Sequence, residues 1–517
     1  MILSGNLRRR SGLPVSLVLL MFGLSGNAIA GKWTVTPDIN VRETYTDNAS
    51  LVAVPTEGEF VTQVAPGIHI AGAGGRFKGN LDYTANAIFY GRNSAQDRVA
   101  NYLNANGTLE AIEKFFYVDA YGNVSQTFVS PFAPQPSDVT SITSNRAESR
   151  TYGISPYVRG QVGSAFSYQL RYRYAATTSN SSALPDLYTT DWTGRVASPI
   201  RLFGWALDYD DNTINYKDYS SFAAPRLYSK LYRGTLYFQP DPRLLLSASG
   251  GQEENNYSLV KASNSIYGVG ASWKPTPITS ADFNWEHRFY GPSRSASLKH
   301  RTRLTAWTLT YSRDTTNYQR ALLTLPPGNV AALLDAIFTA SIPDPAARQA
   351  AVAQFLQSTG IPAFLSNPIS FYTQQVFLQE RLDASVAILG KRNSVLFSVF
   401  RAKTRALTGN FNSAAPDAFT LAQGSAITQN GFGVSANHKL AASTSLVASA
   451  TRTYVRQDVP ATIKSRNDYL TLGLNRTLSP KTNAFAGFGY SHYTSTGATF
   501  SGSHNARSAF VGLSHRF

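Results

Sequence analysis

Apolar and polar side chains alternate along most of this chain, in segments of roughly 10 to 14 residues, a length typical of strands that cross a membrane. Alternation with a period of two predicts β-strands with two different faces. Clear examples are 33–46, 165–175, 202–211, 282–290 and 469–478. In 165–175, for instance, Leu170 and Tyr172 alternate with Arg171 and Arg173. The pattern therefore predicts an all-β protein.

The connections between these segments alternate between short and long. The short ones include 72–75, 163–164, 241–242, 274–277, 390–393 and 479–481, and the long ones include 92–98, 130–147, 178–186, 409–426 and 496–503. Tight turns at one rim and longer loops at the other are typical of up-and-down transmembrane antiparallel β-barrels. Counting in this way predicts about 22 strands, with a range of 18 to 24. The least certain boundary lies in 296–319, which we divide at Arg303–Leu304.

One stretch, 320–371, breaks the alternation. A helix is predicted over 330–338, and a second over 346–358, where Asp344-Pro345 supplies an N-cap and a first helical proline. In the strand count, the insertion follows a strand that runs outward and precedes one that returns to the periplasm. We therefore expect it to leave the barrel on the outer side. Two interpretations stay open: a cap over the loop ends, or a lid that packs into the barrel mouth and restricts the pore. Because apolar helix faces must be buried somewhere, we expect restriction.

The last thirteen residues, 505–517, read N-A-R-S-A-F-V-G-L-S-H-R-F and end on an aromatic side chain. With a period of two, Val511 and Phe517 lie on the same side of the chain, which predicts a strand with an apolar face. The stretch resembles the closing strand of bacterial outer-membrane β-barrels, whose assembly signal combines a glycine with two spaced aromatic residues. Gly512 and Phe517 match it, and His515 takes the first aromatic position. The resemblance implies recognition by the barrel assembly machinery.

The N-terminus predicts export. Arginines at 8–10 precede an apolar run over 13–24, and Ala28 and Ala30 form a small-residue cleavage site. We therefore predict a signal peptide over 1–30 and a barrel over 31–517, located in the outer membrane of a Gram-negative bacterium in contact with its lipid. Strand signals begin at 33, so no plug domain is expected before the barrel. No later segment reaches the ~20 apolar residues of a transmembrane helix, which leaves a closed barrel as the way to cross a bilayer.

Charge adds a possible ligand class. The formal charge is +16, of which three units are the arginines at 8–10, leaving +13. In an exported protein this excess favours anionic lipid or an acidic polysaccharide over nucleic acid. The candidate lumen path comprises charged or aromatic residues on the polar face of their strands, which we expect to line the lumen. They are Arg171, Arg173, Asp208, Asp210, Glu286, Arg288, Arg381, Asp383, Arg401, Lys403, Arg405 and Tyr469. Two interpretations stay open: charges that solvate any wide barrel, or a water-filled path biased toward anions.

Motifs for catalysis and metal binding are absent from the sequence. It contains no cysteine, and its seven histidines stand singly, without a close pair of ligands. It has no G-x-S-x-G, no P-loop and no G-x-G-x-x-G that opens a helix. We predict no cofactor, no metal and no enzymatic activity. A barrel enzyme that acts on lipid or glycan remains a third interpretation.

Three stretches, 298–314, 325–329 and 377–394, resemble the outer-membrane β-barrels associated with PEP-CTERM/exosortase exopolysaccharide systems. The resemblance covers nearly the whole chain after residue 30. It implies a porin-like barrel, a role in exporting an extracellular polysaccharide, and a periplasmic polysaccharide-export protein as partner. A general diffusion porin for small anionic solutes stays the alternative.

Overall fold

Antiparallel β-strands make up most of the described chain. The computed structural model describes residues 32–136, 138–181, 186–217, 226–257, 261–318, 330–339, 341–344, 348, 351–352, 354–356, 359, 361, 365, 368, 375–408, 424–459, 462–497 and 502–517. The strands are β1 (Lys32–Thr46), β2 (Glu59–Gly74), β3 (Phe77–Tyr90), β4 (Arg98–Ile112), β5 (Phe116–Phe128), β6 (Arg146–Val162), β7 (Phe166–Ser179), β8 (Leu187–Ala197), β9 (Phe203–Tyr216), β10 (Leu227–Asp241), β11 (Leu244–Asn255), β12 (Ala262–Thr276), β13 (Thr279–Arg288), β14 (Gly291–Arg301), β15 (Thr305–Thr316), β16 (Phe377–Leu389), β17 (Asn393–Ala406), β18 (Ala426–Ala441), β19 (Thr444–Gln457), β20 (Ile463–Ser479), β21 (Thr482–Thr496) and β22 (Gly502–Arg516). Helix α1 (Val330–Phe338) lies between β15 and β16, and a short 3-10 turn spans Ser94–Gln96.

Each strand pairs with its neighbours in sequence, and β22 also pairs with β1, so that 22 strands close into a barrel. In the closing ladder Val41 lies opposite Leu513. The architecture, the strand number and the closing strand confirm the prediction from alternation. The turn between β14 and β15 also falls at 302–304, which confirms the division at Arg303–Leu304.

The two rims of the barrel differ. One rim carries the tight turns together with the start of β1 and the end of β22, and the opposite rim carries most of the long connections. In outer-membrane barrels the short turns and both chain ends lie in the periplasm. We therefore name the first the periplasmic rim and the second the outer rim.

Large apolar side chains cover the outward face of the strands. In β9, Phe203 is 67% exposed and Leu207 is 57% exposed, and in β20 Leu470 is 53% exposed. Side chains of this kind need an apolar solvent, because water would penalise so much exposed hydrocarbon. The barrel is therefore built to span a bilayer, and the alternate residues of each strand face the lumen. Among the described residues, no helix has the length and hydrophobicity to cross a membrane.

The predicted assembly-signal residues lie at the seam of the barrel. At Gly512 a Cβ atom would stand 2.4 Å from the Phe485 ring and 2.6 Å from the Val41 carbonyl oxygen, so only glycine fits between these strands. The His515 ring meets the Phe517 ring edge-on, with centroids 4.8 Å apart. Recognition of these residues by the assembly machinery stays a prediction. The predicted signal peptide, with Ala28 and Ala30, lies outside the described residues.

Candidate functional site: the lumen and its helical insertion

A polar cavity of about 640 Å³ lies in the lumen along β5 to β15. Alternation along each strand aims one residue in two at this space. Its charged lining on the inward face includes Asp119, Arg171, Arg173, Asp191, Asp210, Arg233, Arg288 and Asp314. Because the wall carries both arginines and aspartates, the cavity is strongly polar without being uniformly basic.

Two arginines and two glutamates on β10, β11 and β13 form a linked network in the lumen. Arg233 donates two hydrogen bonds of 2.8 Å to the carboxylate of Glu286. Arg288 contacts Glu253 at 2.7 Å and Glu286 at 3.4 Å. Glu253 and Glu286 are only 1% and 3% exposed, so each carboxylate depends on these partners. The network therefore ties three strands together on their inward side.

Further ion pairs neutralise most of the other predicted lumen charges. Arg171 contacts Asp119 at 2.7 Å, and Arg195 contacts Asp208 at 2.8 Å. On β16, Arg381 makes a two-pronged contact with Asp383 of the same strand, at 2.6 and 2.8 Å. Pairing of this kind leaves donors and acceptors in the lumen but little net charge.

Nine of the predicted lumen residues do face the lumen. They are Arg171, Arg173, Asp208, Asp210, Glu286, Arg288, Arg381, Asp383 and Tyr469, each on the parity opposite to the exposed apolar residues of its strand. Tyr290 lies in the turn after β13 at the outer rim. Its hydroxyl donates a 2.8 Å hydrogen bond to Asp314. Burial, and then the Asp314 charge, raise the pKa of Tyr290, so it stays a neutral donor.

The prediction for Arg401, Lys403 and Arg405 is corrected by the structure, which places all three on the outward face. Along β17 exposed and buried residues alternate strictly, and these cations share the exposed parity with the apolar Phe397. The inward parity of β17 is uncharged and includes the buried Leu396. Polarity alone misassigned the cations, because the outward face of a barrel strand is apolar only within the hydrocarbon layer and becomes polar beyond it.

Helix α1 lies inside the barrel, against the wall formed by β15 to β17. The apolar cluster that buries it consists of Leu333, Leu334 and Ile337 from the helix and of Ala306, Ala387, Leu389 and Leu396 from the inward faces of the strands. Ala306 and Leu389 lie next to periplasmic turns, at 302–304 and 390–392. The insertion therefore begins at the outer rim and places α1 at the periplasmic rim. The predicted helix over 330–338 is confirmed, and α1 obstructs the lumen at the rim opposite to the one expected.

The end of the insertion contacts strands farther round the barrel wall. Most of the second predicted helix, 346–358, lies outside the described residues, but Val352 is helical and belongs to the same apolar cluster as α1. The carbonyl oxygen of Thr359 accepts hydrogen bonds from the side chains of Asn437, at 3.0 Å, and Asn475, at 3.3 Å. These asparagines belong to β18 and β20, so the insertion contacts the wall from β15 round to β20. The insertion therefore occupies part of the lumen along these strands.

A gap of about 920 Å³ remains between α1 and the periplasmic ends of β10 to β15. Four cations border this periplasmic gap, namely Arg243, Lys274, Lys299 and Arg301. None of them has an ion-pair partner within the part of the chain that the structure describes. The acid that α1 presents there, Asp335, is already paired with Arg348 at 2.6 Å. The gap is therefore basic, in contrast to the paired charges deeper in the lumen.

The connection between β5 and β6 crosses the outer mouth. Phe132 is fully buried, in a cluster with Phe377, Ala406, Ile427 and Val455 from β16 to β19. The Tyr493 hydroxyl on β21 donates to the Phe132 carbonyl oxygen, and the Ser465 hydroxyl donates to that of Pro131 at 3.5 Å. The sequence predicted only a long outward loop over 130–147. Its one usable signal was a large aromatic residue inside the proline-rich run P-F-A-P-Q-P.

One histidine of the lumen wall lies between two carboxylates. His69 lies 3.0 Å from Asp38 and 2.7 Å from Asp82 on the lumen wall. In the part of the chain that the structure describes, no three histidine or carboxylate side chains converge on a possible metal position.

Comparison with known proteins gives structural likeness only. No family model matches the sequence, and no curated protein matches it. The FrpB iron transporter from Neisseria meningitidis (F5-1 variant) is 10% identical over 93% of this chain and 82% of its own, with a TM-score of 0.47. The siderophore receptor PirA from Pseudomonas aeruginosa is 10% identical over 93% of this chain and 80% of its own, with a TM-score of 0.39. The copper transporter OprC is 10% identical over 95% of this chain and 82% of its own, with a TM-score of 0.37.

Proposed function

We propose that this barrel is a gated outer-membrane conduit that exports an acidic extracellular polysaccharide. The observation that carries the proposal is the periplasmic gap beside α1. An anionic polymer that arrives from the periplasm meets cations such as Lys299 and Arg301, which have no ion-pair partner among the described residues, at the place where α1 narrows the lumen. Positive charge at a constriction concentrates anions there. In this proposal, opening moves α1 away from the wall of β15 to β17 and widens the path.

The lumen beyond the gap supports passage rather than retention. Three of the four arginines in its lining pair with carboxylates, as Arg233 does with Glu286. Paired charges offer hydrogen bonds to the hydroxyl groups of a sugar but no strong electrostatic trap. Transport requires binding that is favourable enough to admit the solute and weak enough to release it. The basic periplasmic gap would admit the polymer, and the polar cavity beyond it, with little net charge, would release it.

The family resemblance of 298–314, 325–329 and 377–394 supports the polysaccharide as cargo and a periplasmic polysaccharide-export protein as partner. The partner would contact the periplasmic rim, where β17 starts after the exposed cations Lys391 and Arg392.

A general diffusion porin for small anions is the second candidate, favoured by the same cations at the periplasmic gap. The insertion favours export over diffusion, because free diffusion needs no helix across the lumen. The third interpretation, an enzyme acting on lipid or glycan, gains no support from the described residues.

Current blockade in planar bilayers tests the proposal. An acidic oligosaccharide, such as an oligouronate, is added on the periplasmic side, and a neutral dextran of equal length is the comparison. We expect the acidic polymer alone to block the current. The combined variant Lys274→Ser, Lys299→Ser, Arg301→Ser should weaken this block about 100-fold, since each of the three cations contributes about 1 kcal/mol near an anion.

The matched control removes three other cations of the periplasmic rim, in the variant Lys391→Ser, Arg392→Ser, Lys439→Ser, and should block like the wild type. Equal block by both polymers would contradict the proposal. In cells, deletion of the gene separates the three functions: loss of surface polysaccharide supports export, altered anion uptake with intact polysaccharide supports the porin, and changed lipid or glycan chemistry supports the enzyme.

A further inference from the structure

The outward face of β17 is apolar near the periplasmic rim and cationic towards the outer rim. From the periplasmic rim this face presents Val395, Phe397 and Val399, which are 38%, 41% and 41% exposed. The next three residues on the same face are Arg401, Lys403 and Arg405, and all three are exposed. The change from apolar to cationic side chains marks the upper limit of the hydrocarbon layer on this strand.

The cationic surface continues onto β19 and β20. The register places Lys403, Thr428, Arg456 and Lys464 in one row across four strands. On β20 the outward apolar residues likewise give way to charge, from Leu470 to Arg466. We call the resulting group the outer basic patch; it consists of Arg401, Lys403, Arg405, Arg456, Lys464 and Arg466.

Carboxylates balance only part of the patch. Arg456 pairs with Asp458 at 2.6 Å, and Arg466 pairs with Asp468 at 3.1 Å. Glu380 lies opposite Lys403 in the strand register. Four members of the patch have no ion-pair partner in the described ranges, namely Arg401, Lys403, Arg405 and Lys464. A net positive surface therefore faces away from the lumen, where no cargo passes.

We propose that the outer basic patch binds phosphorylated headgroups of lipids in the outer leaflet. Its level at the end of the apolar band is the level of headgroups, and a charged side chain on the lipid face costs little free energy only near that interface. Arginine pairs with phosphate through two parallel hydrogen bonds. Successive cations on one face of β17 stand roughly 7 Å apart, and β17 and β19 stand roughly 10 Å apart. That spacing suits a lipid that carries more than one phosphate.

Native mass spectrometry of the full-length barrel in a phosphate-free detergent tests this directly. The probes are bisphosphorylated lipid A, the same lipid without phosphates, and inorganic phosphate. The wild type should bind the bisphosphorylated lipid at least tenfold more tightly than either other probe. The variant Arg401→Ser, Lys403→Ser, Arg405→Ser should lose about 100-fold in affinity, since each cation near an anionic surface contributes about fivefold.

The control Lys391→Ser, Arg392→Ser, Lys439→Ser removes as many cations from the periplasmic rim and should bind as the wild type does. Wild-type affinity in the β17 variant, or equal binding of the phosphate-free lipid, would overturn the proposal. Equally tight binding of inorganic phosphate would also overturn it, because the site would then hold a free anion. The comparison of probes on the wild type stands even if a variant fails to fold.

Discussion

The side-chain amide of Asn437, on β18, donates a 3.0 Å hydrogen bond to the backbone carbonyl of Thr359. Asn437 is 2% exposed and Thr359 is 1% exposed, so the contact is shielded from water. It fastens the end of an insertion that follows β15 to a strand farther round the barrel wall. A second asparagine, Asn475 on β20, donates to the same carbonyl at 3.3 Å. These two bonds hold the insertion across the periplasmic end of the lumen.

Replacing both asparagines, in the variant Asn437→Leu, Asn475→Leu, should loosen the insertion without removing it. Each lost hydrogen bond contributes about 1 kcal/mol, so the closed arrangement should become roughly 10- to 30-fold less favoured. We expect more frequent open events in single-channel recordings at unchanged open-state conductance. The control Asn430→Leu, at an exposed outward position of β18, should keep wild-type gating. Identical open probability in the double variant would mean that these bonds do not hold a gate.

Removing the charge of Glu286 should destabilise the barrel. In Glu286→Gln, Arg233 loses its carboxylate and Arg288 keeps only Glu253. The Arg233 side chain is 26% exposed, so the loss of its charge-assisted hydrogen bonds costs about 2 kcal/mol. The free energy of unfolding, measured by urea titration of the barrel in lipid vesicles, should fall by about that amount. The exposed Glu380→Gln should change it by less than about 0.5 kcal/mol, and similar losses in both variants would refute the network's role.

Truncation of Phe132 should open the outer mouth. Phe132→Ala empties a fully buried position between β16 and β19 and removes about 3 to 5 kcal/mol of packing that holds the crossing loop in place. We expect proteases applied to whole cells to cleave the loop around residue 137 more rapidly, while the barrel itself stays folded. Phe128→Ala, at the end of β5, serves as the aromatic control. Equal cleavage of the wild type and Phe132→Ala would show that this side chain does not anchor the loop.

The alternating faces and turn signals predicted the barrel, its strand number and α1 because each is a local property of the chain. A strand needs only a period of two, and a helix such as 330–338 needs only its own residues and caps. The inward orientation of Arg171 and Glu286 followed from the same parity, because both strands carry large apolar residues on the opposite face.

The alternation of polar and apolar residues gave the wrong inward face where a strand extends beyond the membrane. On β17 the cations at 401, 403 and 405 continue an apolar outward face, and only the register and burial of the folded barrel reveal it. The position of the insertion was also beyond the sequence. Local signals show that α1 has an apolar face, whereas the wall that buries this face is chosen by small residues elsewhere in the chain, such as Ala306 and Ala387. Phe132 was missed for the same reason, since its partners lie more than 240 residues away.

Deletion of 328–360 tests the central claim most directly, because it removes α1 and the contacts to β18 and β20 while leaving all 22 strands. The variant should keep the heat-sensitive mobility of a folded barrel on gels, and its single-channel conductance in planar bilayers should rise severalfold above the wild-type value. A shortened loop between β17 and β18, lacking 410–422, is the control and should conduct as the wild type does. A folded deletion variant with wild-type conductance would contradict the claim that the insertion gates the lumen.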